Sequence, residues 1–364
     1  MSTMSIGLSM FGAMLVLMAV RVPIAISMFV PGAVGYMALA GWLPLLSHLK
    51  GAVYSRVSIY DLSVIPLFML MGAFAVHGGL SKALFDFANA LLGRFKGGMA
   101  MAGVLACAAF GSISGSTVAT TATIAQVAYP EMRRINYSGR LATAALATGG
   151  TMGVLLPPSV TLMVYAILTE QNITKMFLAA YIPALLAAVG YLIAIAVIVR
   201  IHPDQAPQAK AATASELMTT ALNVWPIAAI FLVVFGGIYG GVFTATEGAA
   251  IGNVLTFAIT LLRREMTFDK LVASIRTTAQ TSGMIFLIFI GADMINASLA
   301  LSQLPAQLAD MVGHLQISPL VVMAGPLVLM ALAMLQLTLP KQHTIIIQVR
   351  VAWQAKPLWA IPVY

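Results

Sequence analysis

Apolar positions run through most of this chain in long unbroken stretches, and the polar residues that interrupt them mark out its elements. Ser5 to Val20 is apolar, breaks at Arg21-Val22-Pro23 and resumes from Ile24 to Trp42. Proline suits the start of a helix and not its interior, so two helices joined at the Arg-Pro turn are predicted. Pro44 to Asp61 mixes His48, Lys50, Arg56 and Asp61 with apolar residues, the pattern of an amphipathic stretch at a membrane interface. Ile65 to Ala75 is apolar but short and predicts half of a hairpin or a broken helix. Ser81 to Phe95, with Lys82, Asp86, Arg94 and Lys96 at its edges, predicts a helix lying along the membrane boundary.

Met99 to Phe110 leads into the densest run of small and hydroxylated residues, Gly111 to Thr123, and the next charges are Glu131, Arg133, Arg134 and Arg140. Leu141 to Thr169 carries Gly149-Gly150 and Pro157-Pro158 in its middle and predicts a discontinuous helix. Lys175 to Val199 is uninterrupted and predicts a plain span. His202 to Glu216 is polar and separates two halves. The second half predicts spans at Ala221 to Gly237, Thr244 to Leu262, Ser282 to Leu299 and Pro319 to Leu337. A basic linker (Arg263, Arg264, Lys270, Arg276) and an amphipathic piece (Gln303 to His314) lie among them.

Composition turns these stretches into membrane segments. Of 364 residues 60% are hydrophobic and 8% charged, against about a quarter charged in soluble domains, and the mean hydropathy is +0.97. A span needs about twenty apolar residues, so roughly nine to eleven membrane-entering segments are expected, some too short to cross. The runs do not alternate as a lipid-facing barrel requires. The fold class predicted is an all-α polytopic membrane protein.

A net charge of +8 would suggest a nucleic-acid partner in a soluble chain. Here it marks basic cytoplasmic loops, and no nucleic acid is expected. The single cysteine, Cys107 in an apolar run, excludes a disulfide framework and a Cys-based metal site. The opening MSTMSIGLSM lacks the basic region and cleavage site of a signal peptide, so the first run is expected to be a retained span.

Two clusters carry candidate chemistry: a tip at 111–117 with Ser112, Ser114, Gly115, Ser116 and Thr117, and a loop at 149–159 with Gly150, Thr151, Gly153, Pro157, Pro158 and Ser159. Gly111 with Gly115 and Gly149 with Gly153 have the spacing that lets membrane helices pack closely, which is one reading. Packing asks for neither the hydroxyls nor the Pro-Pro, and backbone freed at membrane depth must be satisfied by protein or by a water-filled cavity. The other reading is therefore an ion site. Half-helix N-termini attract an anion, while unwound carbonyls and hydroxyls ligate a hard cation such as Na+. Glu247 beside Thr244 and Thr246 reads as helix capping. Asp293, deep in its run, is a candidate for a proton or cation contact or for a hydrogen bond to a neighbouring helix. An enzyme is not expected: Ser114-Gly115 lacks a histidine base nearby, and the five histidines form no H-E-x-x-H.

A weak internal repeat joins the halves. Phe68 to Gly72 followed by the boundary helix matches Phe286 to Gly291 followed by Leu304 to Leu315, with the glycines 291 − 72 = 219 apart. Such repeats are the trace of an inverted-repeat transporter. At that offset a second tip would fall near Met330, where no Gly-Ser cluster stands. The division expected is a first repeat with scaffold helices (1–200), a loop (201–220), an incomplete second repeat (221–337) and an atypical tail (338–364).

The motifs GSISGSTVAT (Gly111 to Thr120), Pro130-x-Met132 with Tyr137, GGTMGVLLPPS (Gly149 to Ser159), IPLFMLMG (Ile65 to Gly72) and TATEGAA (Thr244 to Ala250) together resemble the large membrane subunit of tripartite ATP-independent periplasmic (TRAP) transporters, over about residues 5 to 330. The resemblance implies a Na+-coupled importer of an organic acid, a C4-dicarboxylate or other carboxylate, in the bacterial inner membrane. It implies two partners, a small membrane subunit and a periplasmic substrate-binding protein, no cofactor beyond the coupling ion, and an elevator mechanism. By the same resemblance Ser112, Ser114, Gly115, Ser116, Thr117, Thr151, Pro157, Pro158 and Ser159 line the substrate site, and Ser114, Ser116, Gly150, Thr151 and Gly153 are sodium candidates. Family members carry a second tip and a second Pro-Pro loop, which are not found after about Met330. The expectation is thus of a C-terminally truncated or frameshifted chain, and the alternative to a carrier is a transport-incompetent remnant or scaffold subunit.

Overall fold

A computed structural model describes residues 3–207 and 212–314, together with Ala324. The span expected at Pro319 to Leu337, the site of the missing second tip and the tail from 338 lie outside the described residues. Within them the regular structure is helical: α1 (Thr3–Ala19), α2 (Ile24–Ala40), α3 (Trp42–Val57), α4 (Val64–His77), α5 (Leu80–Leu92), α6 (Gly98–Ser114), α7 (Thr117–Arg134), α8 (Gly139–Gly150), α9 (Met152–Leu155), α10 (Val160–Leu168), α11 (Ile173–Ile201), α12 (Ala214–Tyr239), α13 (Ala245–Leu262), α14 (Phe268–Leu301) and α15 (Leu304–His314). Among the described residues six segments are long and apolar enough to cross a membrane, and α1, α2 and α6 are shorter apolar helices. The chain is an all-α polytopic membrane protein.

It forms two compact units. One combines residues 3–62 with 279–314, and the other holds 63–207 and 212–278. In the first, Arg21 takes a positive φ of 70° between α1 and α2, where the Arg-Pro turn was expected. Met10 and Met14 of α1 cluster with Ile295 of α14. The Ser298 hydroxyl donates to the Gly32 carbonyl of α2 at 2.5 Å. Asp293, one of the sequence candidates, meets His48 of α3 with 3.3 Å between Nε2 and Oδ2, and the His48 ring stacks on Tyr36 at 5.2 Å. An acid at this depth is costly unless paired, and His48 stands within ion-pair distance of it.

The second unit is built around α6. Fifteen of its residues, from Gly98 to Ser114, are buried, which suits a helix apolar on every side. The boundary helix α5 buries Leu80, Leu84, Phe85 and Ala88 and keeps Lys82 on its exposed face. Phe68 of α4 meets Phe177 of α11 and Phe235 of α12, each at 6.3 Å. The Asn253 amide of α13 donates to the Leu67 carbonyl at 2.7 Å. Thr244 and Glu247 close a capping box at the start of α13, as the capping reading expects.

Two expectations change. Ile65 to Ala75 is neither a hairpin arm nor broken: a 3-10 turn at Tyr60–Ser63 runs into α4, and together they are long enough to span. Lys270 and Arg276 belong to α14 rather than to a linker, because the turn between α13 and α14 is completed by Arg263 to Thr267. The paired glycines of the repeat also differ in their surroundings. A Cβ on Gly72 would lie 2.8 Å from Ser114 Cα, whereas one on Gly291 would lie 2.6 Å from the Ala25 carbonyl.

Candidate functional site

The hairpin tip is as short as a helical hairpin allows. α6 ends at Ser114, Gly115 turns in the left-handed region (φ 60°), and Ser116 is already the N-cap of α7. The Ser116 hydroxyl accepts the Ala119 amide at 3.3 Å. Inside the tip, Ser114 Oγ and Thr120 Oγ1 lie 2.7 Å apart, both buried. The last carbonyls of α6 and the first amides of α7 are therefore brought within one turn of each other, and neither set has intrahelical partners.

The broken helix supplies the facing half. α8 ends at Gly150, α9 adds a single turn, and Leu156 leaves the helical region (φ −86°, ψ 135°) ahead of Pro157 and Pro158. The Pro157-Pro158 peptide is cis. Ser159 then caps α10, accepting the Leu162 amide at 3.3 Å. Pro removes an amide donor and clashes with the preceding turn, so the break is written into the sequence.

The two halves touch backbone to backbone. A Cβ on Gly111 would lie 2.5 Å from Gly153 Cα, and one on Gly115 would lie 2.6 Å from the Pro158 carbonyl oxygen and 3.5 Å from Val160. One on Gly153 would sit 2.8 Å from Thr120 Oγ1 and 3.0 Å from the Ser116 carbonyl, and one on Gly150 would collide with Thr121 Oγ1. The N-termini of α7 and α10 consequently approach each other, each capped by a serine. Residues 111–120 and 149–160 include no charged side chain. Partial charges alone, from amides, carbonyls and hydroxyls, set the electrostatics here.

Most of the predicted residues meet at this junction. Ser114, Gly115, Ser116, Gly150, Gly153, Pro158 and Ser159 belong to it, with Pro157 buried beside them and Thr117 partly exposed at the start of α7. Two do not join. Ser112 donates to the Ala109 carbonyl at 2.7 Å and faces a cavity of about 500 Å³ lined by α5, α6 and α12, with Leu84, Ile113, Ile227 and Phe231 in its walls. Thr151 is exposed; its hydroxyl donates to the Thr148 carbonyl at 2.6 Å and lies 3.3 Å from the Tyr191 hydroxyl of α11. Conversely, Thr120 and Thr121 reach the junction without being singled out. Their signal was the hydroxyl run itself, read one helical turn beyond the tip. Among the described residues no three His, Cys, Asp or Glu side chains gather to hold a metal ion, so a cation at the junction would have neutral oxygen donors.

A helical hairpin and a broken helix meet tip to tip within one unit of this polytopic membrane protein. The family "Tripartite ATP-independent periplasmic transporter, DctM component" matches residues 11–355. This chain belongs to that family, and is a multi-pass protein of the bacterial inner membrane. The C4-dicarboxylate TRAP transporter large permease protein DctM of Pseudomonas aeruginosa is 33% identical over 262 residues, covering 71% of this chain and 61% of that protein. Its namesake in Vibrio cholerae is 35% identical over 252 residues, covering 67% and 53%. The 2,3-diketo-L-gulonate TRAP transporter large permease protein YiaN of Escherichia coli is 29% identical over 314 residues, covering 85% and 72%. The chain spans only 61% and 53% of the length of the first two curated relatives.

Proposed function

We propose that this chain acts as the membrane permease component of a Na+-coupled TRAP transporter that imports an organic acid, a C4-dicarboxylate or another carboxylate. A small membrane subunit and a periplasmic binding protein complete the assembly, and the binding protein delivers the acid. The observation that carries the proposal is the packing of Gly115 on the Pro158 carbonyl, which sets the N-termini of α7 and α10 side by side. Two converging helix N-termini favour a carboxylate. The adjoining α6 carbonyls with the Ser114 and Ser116 oxygens suit a small hard cation.

A cation bound there reinforces the anion site electrostatically, since opposite charges at close range in a low-dielectric interior attract strongly. Coupling follows: each ion is bound better when the other is present. The junction lies wholly within one of the two compact units. This supports an elevator mechanism, in which the unit holding the site carries it past the other. The relatives named for C4-dicarboxylates and for 2,3-diketo-L-gulonate support a small acid as the cargo.

The test is uptake in proteoliposomes holding this chain and its two partners. An inward Na+ gradient drives accumulation of a radiolabelled C4-dicarboxylate supplied with the binding protein, and replacing Na+ by K+ abolishes it. No accumulation of any of a panel of small carboxylates under the Na+ gradient would sink the proposal.

A further inference from the structure

The end of α8 remote from the junction carries a second arrangement, which the transport reading does not use. A groove of about 100 Å³ runs between α8 and α11, with Val104 of α6 as its floor. Leu141, Ala144 and Thr148 form one wall, and Tyr191, Ile195 and Ile198 the other. Helical spacing extends both walls to basic or hydrogen-bonding groups at the same end. Arg140 stands four residues before Ala144 and eight before Thr148, on their stripe of α8. His202, which closes α11 with its amide donating to the Ile198 carbonyl at 2.8 Å, stands four residues beyond Ile198.

Lys96 belongs to the same end. A Cβ on its neighbour Gly97 would lie 2.9 Å from Val199 and 3.3 Å from Ile195, so the turn before α6 is seated on the end of α11. The Ser138 amide, just before α8, donates to the Gln205 carbonyl at 2.9 Å, tying the remaining turn to the others. Nearby carboxylates are Glu131, which Arg134 engages at 2.8 Å, Asp86, which lies within electrostatic reach of Glu131 and is offset by Lys82, and Asp204. Against them stand Lys96, Arg133, Arg140 and Arg200. Lys96, Arg140 and His202 are exposed. An apolar trough with a cationic rim fits one chemistry that a bilayer supplies, an acyl chain ending in an anionic phosphodiester.

We propose that the α8/α11 groove is a binding site for an anionic phospholipid of the surrounding membrane, one acyl chain lying in the groove and the phosphodiester held by Arg140 and Lys96 with His202 as a further donor. The chain runs toward Tyr191, whose hydroxyl meets Thr151 where α8 gives way to the broken segment. The site does not depend on the transport proposal and is tested without it.

The purified full-length chain is titrated in neutral detergent with dioleoylphosphatidylglycerol and, in parallel, with dioleoylphosphatidylcholine. Bound lipid is read by native mass spectrometry and stability by the melting midpoint. The wild type is expected to retain the glycerol lipid in preference and to melt at a higher temperature with it. In K96Q/R140Q the apparent affinity for the glycerol lipid falls roughly 25-fold, two basic contacts being lost, while the choline lipid is unaffected. A144F, which fills the groove at an exposed position, weakens both lipids with the basic residues intact. Equal retention of the two lipids by the wild type would overturn the proposal without recourse to any variant. So would undiminished glycerol-lipid binding in K96Q/R140Q.

Discussion

At Gly115 two requirements fall on one residue. The turn needs a left-handed φ of 60°, and the Pro158 carbonyl stands where a side chain would begin. An L-residue pays about 1–2 kcal/mol for that conformation, and the carbonyl is backbone and cannot swing aside. Gly115→Ala is expected to lower the melting midpoint by more than the conformational cost alone and to abolish Na+-driven uptake. Thr123→Ala, in the same hydroxyl run but only partly buried on α7, serves as its control and leaves both nearly unchanged. The residue scale is also where sequence reading had least purchase. Glycine and hydroxyl density located the tip, but whether a hydroxyl faces the junction depends on the helical phase of α6 and α8. That phase turned Ser112 toward the α5/α12 cavity and Thr151 toward Tyr191, and brought Thr120 and Thr121 in.

Elements were more legible. The discontinuous helix, the α13 boundaries and the Arg-Pro turn follow from proline stereochemistry and capping, which act locally. The extents of α4 and α14 did not, because α4 is preceded by a turn of mixed polarity (Tyr60–Ser63) and α14 by about four turns of it, from Phe268 to Thr281, which apolar windows exclude. The pairing of Asp293 needed α3 and α14 to be placed beside each other, which no local signal does. That pair carries a prediction. The side chains of His48 and Asp293 are 27% and 12% exposed, and removing one partner of a buried pair costs about 3–5 kcal/mol where burial is complete. Asp293→Asn or His48→Gln is expected to lower the melting midpoint in detergent. The double change to Leu at both positions should cost less than the two single losses added, since no charge is then left unpaired. Additivity of the two would remove the pair as a link between α3 and α14.

For the whole molecule, composition alone fixed the membrane class and the motif order fixed the family. The division into two units was not visible in the sequence, because the first unit draws on stretches more than two hundred residues apart. The second unit encloses Cys107 completely, and it is the only cysteine of the chain. Intact protein is therefore expected to resist a membrane-permeant maleimide, and labelling should appear only as the unit unfolds. Modification at native temperature with the melting transition unmoved would show that the core around α6 opens locally.

The contact between Gly111 and Gly153 has a mechanical meaning. Two backbones in van der Waals contact leave no slack, and the Thr120 and Thr121 hydroxyls pressed on Gly153 and Gly150 lock the sliding direction as well. The hairpin and the broken helix thus behave as one stiff part, not as a lid and its seat. Under the transport proposal, a gate that exposes the ion to one side of the membrane would swing on other joints.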